Sequence, residues 1–288
     1  MTYYREMTQT HDTALDNEQI FNTAPSVFAT HPVDEVSDKY GFVPTINVID
    51  GLRDEGWYPV DASQRNVRKV ANVPFTKHLV RFRRLDDDIM VGDSAVELLL
   101  TNSHDRTSGF ILHAGVFRMA CANGIVIADS TFQKVSVRHN RLATGRVIEG
   151  AYHVVREVPR ITGEIESMQS IDLSPEERRV FANSVLSYMA PEPKHGALET
   201  VTPTGRIIDQ MLRPKRRADT GTDLWSTYNV LQEKALRGGI EALKYNPETG
   251  QHRNTTTREV KSIDKNIKLN KALWEMATTM KAIKEAAL

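Results

Sequence analysis

The chain has 288 residues, 37 Lys+Arg against 37 Asp+Glu for a formal net charge of zero, and 40% apolar residues. That composition fits an ordinary soluble fold of one α+β domain or two smaller ones. It excludes a global field that would draw in polyanions, so any cationic site must come from local clustering. One cysteine, Cys121, excludes an internal disulfide and a cysteine-rich zinc centre.

No stretch approaches the roughly 18 apolar residues of a membrane span, and the polar N-terminus lacks an apolar core of the secretory type. A cytoplasmic protein with no membrane partner is expected. Residues 1–24 carry few large apolar groups and read as a flexible arm. Pro32–Tyr40 and Pro44–Glu55 carry short helix signals, and Gly56 ends the second before Trp57-Tyr58 opens a strand. A β-rich centre follows: Thr76–Arg84, Ala95–Thr101, Gly109–Ala120, Ile125–Asp129 and Phe132–Arg138. Asn123-Gly124 predicts a tight hairpin turn, because a type I′ turn needs two residues that tolerate positive φ.

Thr144 begins an apolar stripe through Val147, Ala151, Val154, Ile161 and Ile165, with a kink expected at Pro159. Ser174-Pro175-Glu176-Glu177 is a capping box that predicts a helix through Met189. Ala190–His195 is a Pro-rich break. Helices over Asp223–Leu236 and Asn266–Ala287 complete the chain, with Gln251–Arg258 read as a loop. These elements predict an α+β fold: an antiparallel meander of four to five strands backed by helices. The predicted units are an arm (1–24), an α+β core (25–190) and a helical C-terminal region packed on it (191–288).

Period-two alternation in Lys77–Arg84 puts Lys77, Arg81 and Arg83 on one face and Val80 and Phe82 on the other. Lys134 and Arg138 share a face with Phe132. A sheet with one cationic side suits a phosphate backbone, with cations neutralising phosphates and aromatics stacking on bases. Arg213, Lys215, Arg216 and Arg217 would extend that track. The plainer account of all these charges is a solvated surface.

His104, Asp105, His113 and Asp129 are the alternative, a metal or acid–base site for nucleic-acid hydrolysis, although their spacing matches no ligand motif. Ser103-His104-Asp105 cannot form a triad, since neighbours in one turn do not approach each other through space as nucleophile and base must. Phosphate-binding and dinucleotide motifs are missing as well, so no cofactor is expected. A module that binds a host protein is a further alternative, and it would present a contiguous exposed apolar patch.

LTNSHDRTSGFILHAGVFRMACANGI (Leu100–Ile125), RPKRRADTGTDLWSTYNVLQEKALRGG (Arg213–Gly239) and LNKALWEMA (Leu269–Ala277) resemble a phage- and plasmid-borne family. It is known as a domain of unknown function and labelled phage/plasmid-like protein. PTINVIDGLRDEGWYPV (Pro44–Val60) also resembles the core of the Rad-type, RecT and Redβ single-strand annealing proteins, in which a helix-backed meander assembles into rings or filaments along single-stranded DNA. The resemblances imply a single-stranded DNA-binding and annealing protein of recombination or replication, working as a homo-oligomer without covalent catalysis. Host or phage recombination proteins would be its further partners.

Overall fold

The computed structural model describes residues 14–34, 41–85, 90–91, 94–118, 123–126, 135–140, 142–190, 205–246 and 250–287. It divides into two compact units, 1–161 and 162–288. The division falls inside a long helix rather than at the Pro-rich break near residue 190.

Unit 1 begins with helix α1 (Asn17–Thr23), fixed by a capping box in which Asp16 accepts from the Gln19 amide and Gln19 returns a bond to Asp16. Ile20 and Ala24 are fully buried, so residues 14–24 are packed structure and not the flexible arm that composition suggested. A 3₁₀ turn (Pro25–Phe28) leads on to helix α2 (Thr45–Asp54), which buries Thr45, Val48, Ile49 and Leu52 at helical spacing. The Pro32–Tyr40 helix signal falls largely on residues outside those described.

The sheet comprises β1 (Tyr58–Gln64), β2 (His78–Arg83), β3 (Met90–Val91), β4 (Ser94–Asn102), β5 (Phe110–Arg118), β6 (Asn123–Val126) and β7 (Val135–Val137). Its order is β1-β2-β4-β5-β6, with short β3 on β4 and β7 on β5, all antiparallel. The expected meander is therefore present, with two short strands added. Arg118 pairs with Asn123 and Phe117 with Gly124, so Asn123-Gly124 opens β6 instead of forming the turn.

Pairing sorts the side chains by face, because directly opposed residues share one. Val80, Leu100 and Leu112 form one cross-strand row, and Phe82, Leu98 and Ala114 the next. All six are buried, and full burial of such a side chain stabilises by about 1.5–3 kcal/mol. The other face carries Asp61, Arg81, Leu99 and His113 in one row. Helix α3 (Ala143–Gln169) lies so close to β7 that a Cβ on Gly150 would meet the Val135 side chain at 2.9 Å. This helix continues through Pro159 and across the division between the units.

Unit 2 contains α4 (Pro175–Met189), with the Ser174/Glu177 capping box in place, α5 (Gly205–Leu212), a 3₁₀ turn (Arg217–Asp219), α6 (Leu224–Arg237), a hairpin β8 (Glu241–Asn246) and β9 (Gln251–Thr256), and α7 (Ile263–Ala286). Gln251–Thr256 is thus a strand and not the loop that its polar residues suggested. Helix α6 is buried nearly all round. Trp225 stacks on Tyr228 with ring centres 5.5 Å apart, and Trp274 meets both edge-on. Lys284 pairs with Glu177, tying α7 to α4. Gly238 ends α6 at φ +71, where a Cβ would sit 2.5 Å from the Thr257 carbonyl oxygen, so only glycine lets the returning hairpin close here. No helix among the described residues is long and apolar enough to cross a membrane.

Candidate nucleic-acid interface and a buried histidine cluster

Strand β2 does not present a cationic surface. Arg81 and Arg83 lie on the face opposite Val80 and Phe82, as alternation requires, but that face is closed too: Arg81 is 8% exposed and Arg83 1%. Both grip Glu97, itself 1% exposed. Arg81 Nε and Nη2 donate to its two carboxylate oxygens at 2.7 and 3.0 Å, and Arg83 Nη2 donates at 2.8 Å. Asp61 adds a longer contact to Arg81 at 3.3 Å. Burial works against the Arg81 charge, yet Glu97 and Asp61 outweigh it and hold its pKa above the ordinary value. These two arginines are internal ion-pair members and leave the phosphate-contacting set.

Elsewhere in unit 1, Lys77 is half-buried before β2 and Arg138 is exposed after β7. Lys134 and Asp129 lie outside the described residues. His113 sits mid-strand opposite Leu99, buried, whereas His104 and Asp105 lie beyond the end of β4. Burial opposes the Asp105 charge, but bonds from Thr107 and Ser103 prevail and hold its pKa below the usual carboxylate value. Among the described residues, no three His, Cys, Asp or Glu side chains converge to hold a metal.

His104 instead belongs to a buried cluster at that end of the sheet. Thr45, first residue of α2, places its hydroxyl between His78 Nε2 at 2.9 Å and His104 Nε2 at 3.1 Å. Asn102 Nδ2 donates to the same oxygen at 2.9 Å, and its Oδ1 lies 2.8 Å from His139 Nε2. His78 Nδ1 reaches the Ser26 hydroxyl at 2.8 Å and the Thr76 carbonyl at 3.2 Å.

Proton bookkeeping orders these bonds. A carbonyl only accepts, so His78 carries its proton on Nδ1 and its bare Nε2 accepts from Thr45. Thr45 in turn accepts from Asn102 and from His104 Nε2–H. His139 Nε2–H donates to Asn102 Oδ1. The remaining ring nitrogen of His104, Nδ1, is buried without a hydrogen-bond partner.

All three imidazoles are held neutral. Burial lowers the His78 pKa from 6.5 to about 4, helped by His139 and opposed by its bond to Thr76. Burial takes His104 to about 3, with His78 and His139 adding like-charge cost. Burial also lowers His139. Sequence reading singled out His104 but not this arrangement, since Ser26, Thr45, His78 and Asn102 come from four separate segments.

Unit 2 holds the exposed cationic cluster. The loop after α5 carries Arg213, Lys215 and Arg216, and Arg217 opens the following turn. Arg213, Lys215 and Arg217 are exposed. Arg216 is turned inward, its guanidinium donating to both oxygens of buried Glu233 on α6 at 2.7 and 3.1 Å. Lys215 Nζ comes within 3.5 Å of the same carboxylate. Beside Glu233, Lys234 is half-exposed; burial lowers its pKa, the neighbouring charges of Lys215 and Arg213 add to the fall, and Glu233 opposes it. Arg213, Arg217 and Lys234 form no ion pair among the described residues. Sequence reading marked the loop but missed Lys234, whose place beside it follows from α6 packing.

Comparison with known proteins gives a family match along most of the chain. The model of the family described as Domain of unknown function (DUF932) matches residues 32–274. Two Escherichia coli (strain K12) proteins, "UPF0380 protein YfjQ" and "UPF0380 protein YafZ", are each 36% identical over 269 residues, covering 93% of this chain and 92% of theirs. No solved structure matches.

Proposed function

The chain belongs to the Domain of unknown function (DUF932) family, and since that description carries no activity, we propose a function from its charge geometry: it binds single-stranded DNA through the sugar-phosphate backbone, without covalent catalysis. One observation carries this reading. In a chain of zero net charge, Arg213, Lys215 and Arg217 are exposed on one loop and turn, and Lys215 and Arg213 lie close enough to Lys234 on α6 that their repulsion adds to burial in lowering its pKa, against the pull of Glu233. Cations held against their own repulsion are stabilised by a polyanion, and releasing its counterions supplies the driving force.

The resemblance of Pro44–Val60 to annealing proteins favours single strands over duplex. The phage and plasmid character of the motifs favours recombination or replication as the setting. A single protomer offers a short cationic track, so annealing belongs to an oligomer in which several tracks act on one strand.

The test is fluorescence anisotropy with labelled oligothymidylate and a matched duplex across a salt series. The expected result is single-strand-favouring binding that weakens with salt by a slope of about 0.7 per phosphate contacted. Joint replacement of Arg213, Lys215 and Arg217 by Ala should lower both affinity and slope. An absence of binding at about 50 mM salt, where such contacts are strong, would overturn the proposal.

A further inference from the structure

Within this cationic cluster one residue has the wrong sign. Glu233 places a negative charge beside Lys234 and within reach of Lys215, where it should weaken attraction for a polyanion. Its geometry indicates what that charge does. Helix α6 is buried nearly all round and therefore fixed, and Glu233 is itself buried. From this position it takes both arms of the Arg216 guanidinium, a planar two-point contact that fixes direction as well as distance. Arg216 also approaches buried Asp219 at 3.6 Å, and its carbonyl accepts from the Asp219 amide at the start of the 3₁₀ turn.

We infer that Glu233 is the positioning residue of the interface: through Arg216 it holds the 213–217 loop so that Arg213, Lys215 and Arg217 stay exposed beside Lys234. The inference rests on the single-stranded DNA reading above, and it assigns Arg216 to the scaffold and not to the phosphate-contacting set.

The rival account makes Glu233 a mask, an internal stand-in for phosphate that DNA displaces from Arg216. Burial decides between the two. A phosphate could reach the Arg216 fork only if the Glu233 carboxylate, 7% exposed, broke both of its bonds to Arg216 and moved out into water. Arg216 keeps only 23% of its side chain exposed.

The two accounts predict opposite signs for Glu233→Gln. Removing a negative charge tightens DNA binding if Glu233 masks, and weakens it if Glu233 positions. The experiment measures oligothymidylate affinity and its salt slope for the wild-type chain, Glu233→Gln and Arg216→Lys, with thermal melting of each. Arg216→Lys preserves total charge but cannot make the two-point contact. It keeps the inference testable if Glu233→Gln fails to fold.

The expected result is weaker binding in both variants. Each lost phosphate contact should cost about 5-fold in affinity at about 0.1 M salt and make the slope shallower by about 0.7. Melting transitions should remain cooperative. Tighter or unchanged binding by Glu233→Gln, or unchanged binding by Arg216→Lys, overturns the positioning role while leaving single-stranded DNA binding standing. No binding by the wild-type chain removes both.

Discussion

His78 and His104 meet on one atom: the Thr45 hydroxyl oxygen lies 2.9 Å from His78 Nε2 and 3.1 Å from His104 Nε2. The hydroxyl donates to the first and accepts from the second while also accepting from Asn102, which uses its full bonding capacity. Thr45→Val keeps the shape and removes the oxygen. Two buried donors and one buried acceptor then lose their partner, and each orphaned group costs about 1–3 kcal/mol. Because the three share one site their costs do not simply add, and a loss of about 3 kcal/mol is expected in urea unfolding at neutral pH. A variant as stable as the wild type would mean that the network contributes nothing.

Acid should act on the same cluster. The folded pKa values of about 4 for His78 and about 3 for His104 lie below the ordinary 6.5, and His139 is also lowered. Between those values and 6.5 the unfolded chain binds more protons than the folded one. The stability that neutral imidazoles provide is thus present above pH 6.5 and is lost as pH falls toward 4. Each histidine contributes a slope of up to about 1.4 kcal/mol per pH unit. The physical event is a proton on His78 Nε2, which would set two donors face to face across the Thr45 oxygen. Unfolding free energy measured from pH 7.5 down to 4.5 should fall steadily below 6.5, and His104→Gln should make the fall shallower. A flat profile would show that the histidines are already charged or exposed.

Local signals in the sequence proved legible and distant ones did not. The Ser174/Glu177 box and the apolar spacing in Pro44–Glu55 specify their helices within a few residues, and the structure has both. Asn123-Gly124 misleads because its turn chemistry is local while register is set by the whole β5–β6 pairing. Alternation sorted Arg81 and Arg83 onto the correct face. Nothing within β2 indicates that this face is closed, since Glu97 sits on another strand, 14 to 16 positions on. The histidine cluster joins residues 33 to 59 apart, a distance over which no periodicity operates. The basic loop was visible as a run, but Arg216 could not be separated from its neighbours until Glu233 was placed against it.

Glu97 is the residue on which the closed face of the sheet depends. Its carboxylate balances two guanidiniums, all three groups nearly without solvent, and removing one partner of such a set leaves charge buried and unmatched. Glu97→Gln should therefore lose about 3–5 kcal/mol in urea unfolding. The deficit should persist in about 1 M salt, because ions do not screen groups that water cannot reach. Asp50→Asn is the control: it removes the solvent-facing partner of Arg53, where a pair contributes about 0–1 kcal/mol. The comparison also bears on DNA binding. Reversing Arg81 or Arg83 to Glu would set two buried carboxylates together and unfold unit 1, so lost binding in such variants reports on folding. A Glu97→Gln chain as stable as Asp50→Asn would show that the face is open to water, and would return Arg81 and Arg83 to the set of phosphate contacts.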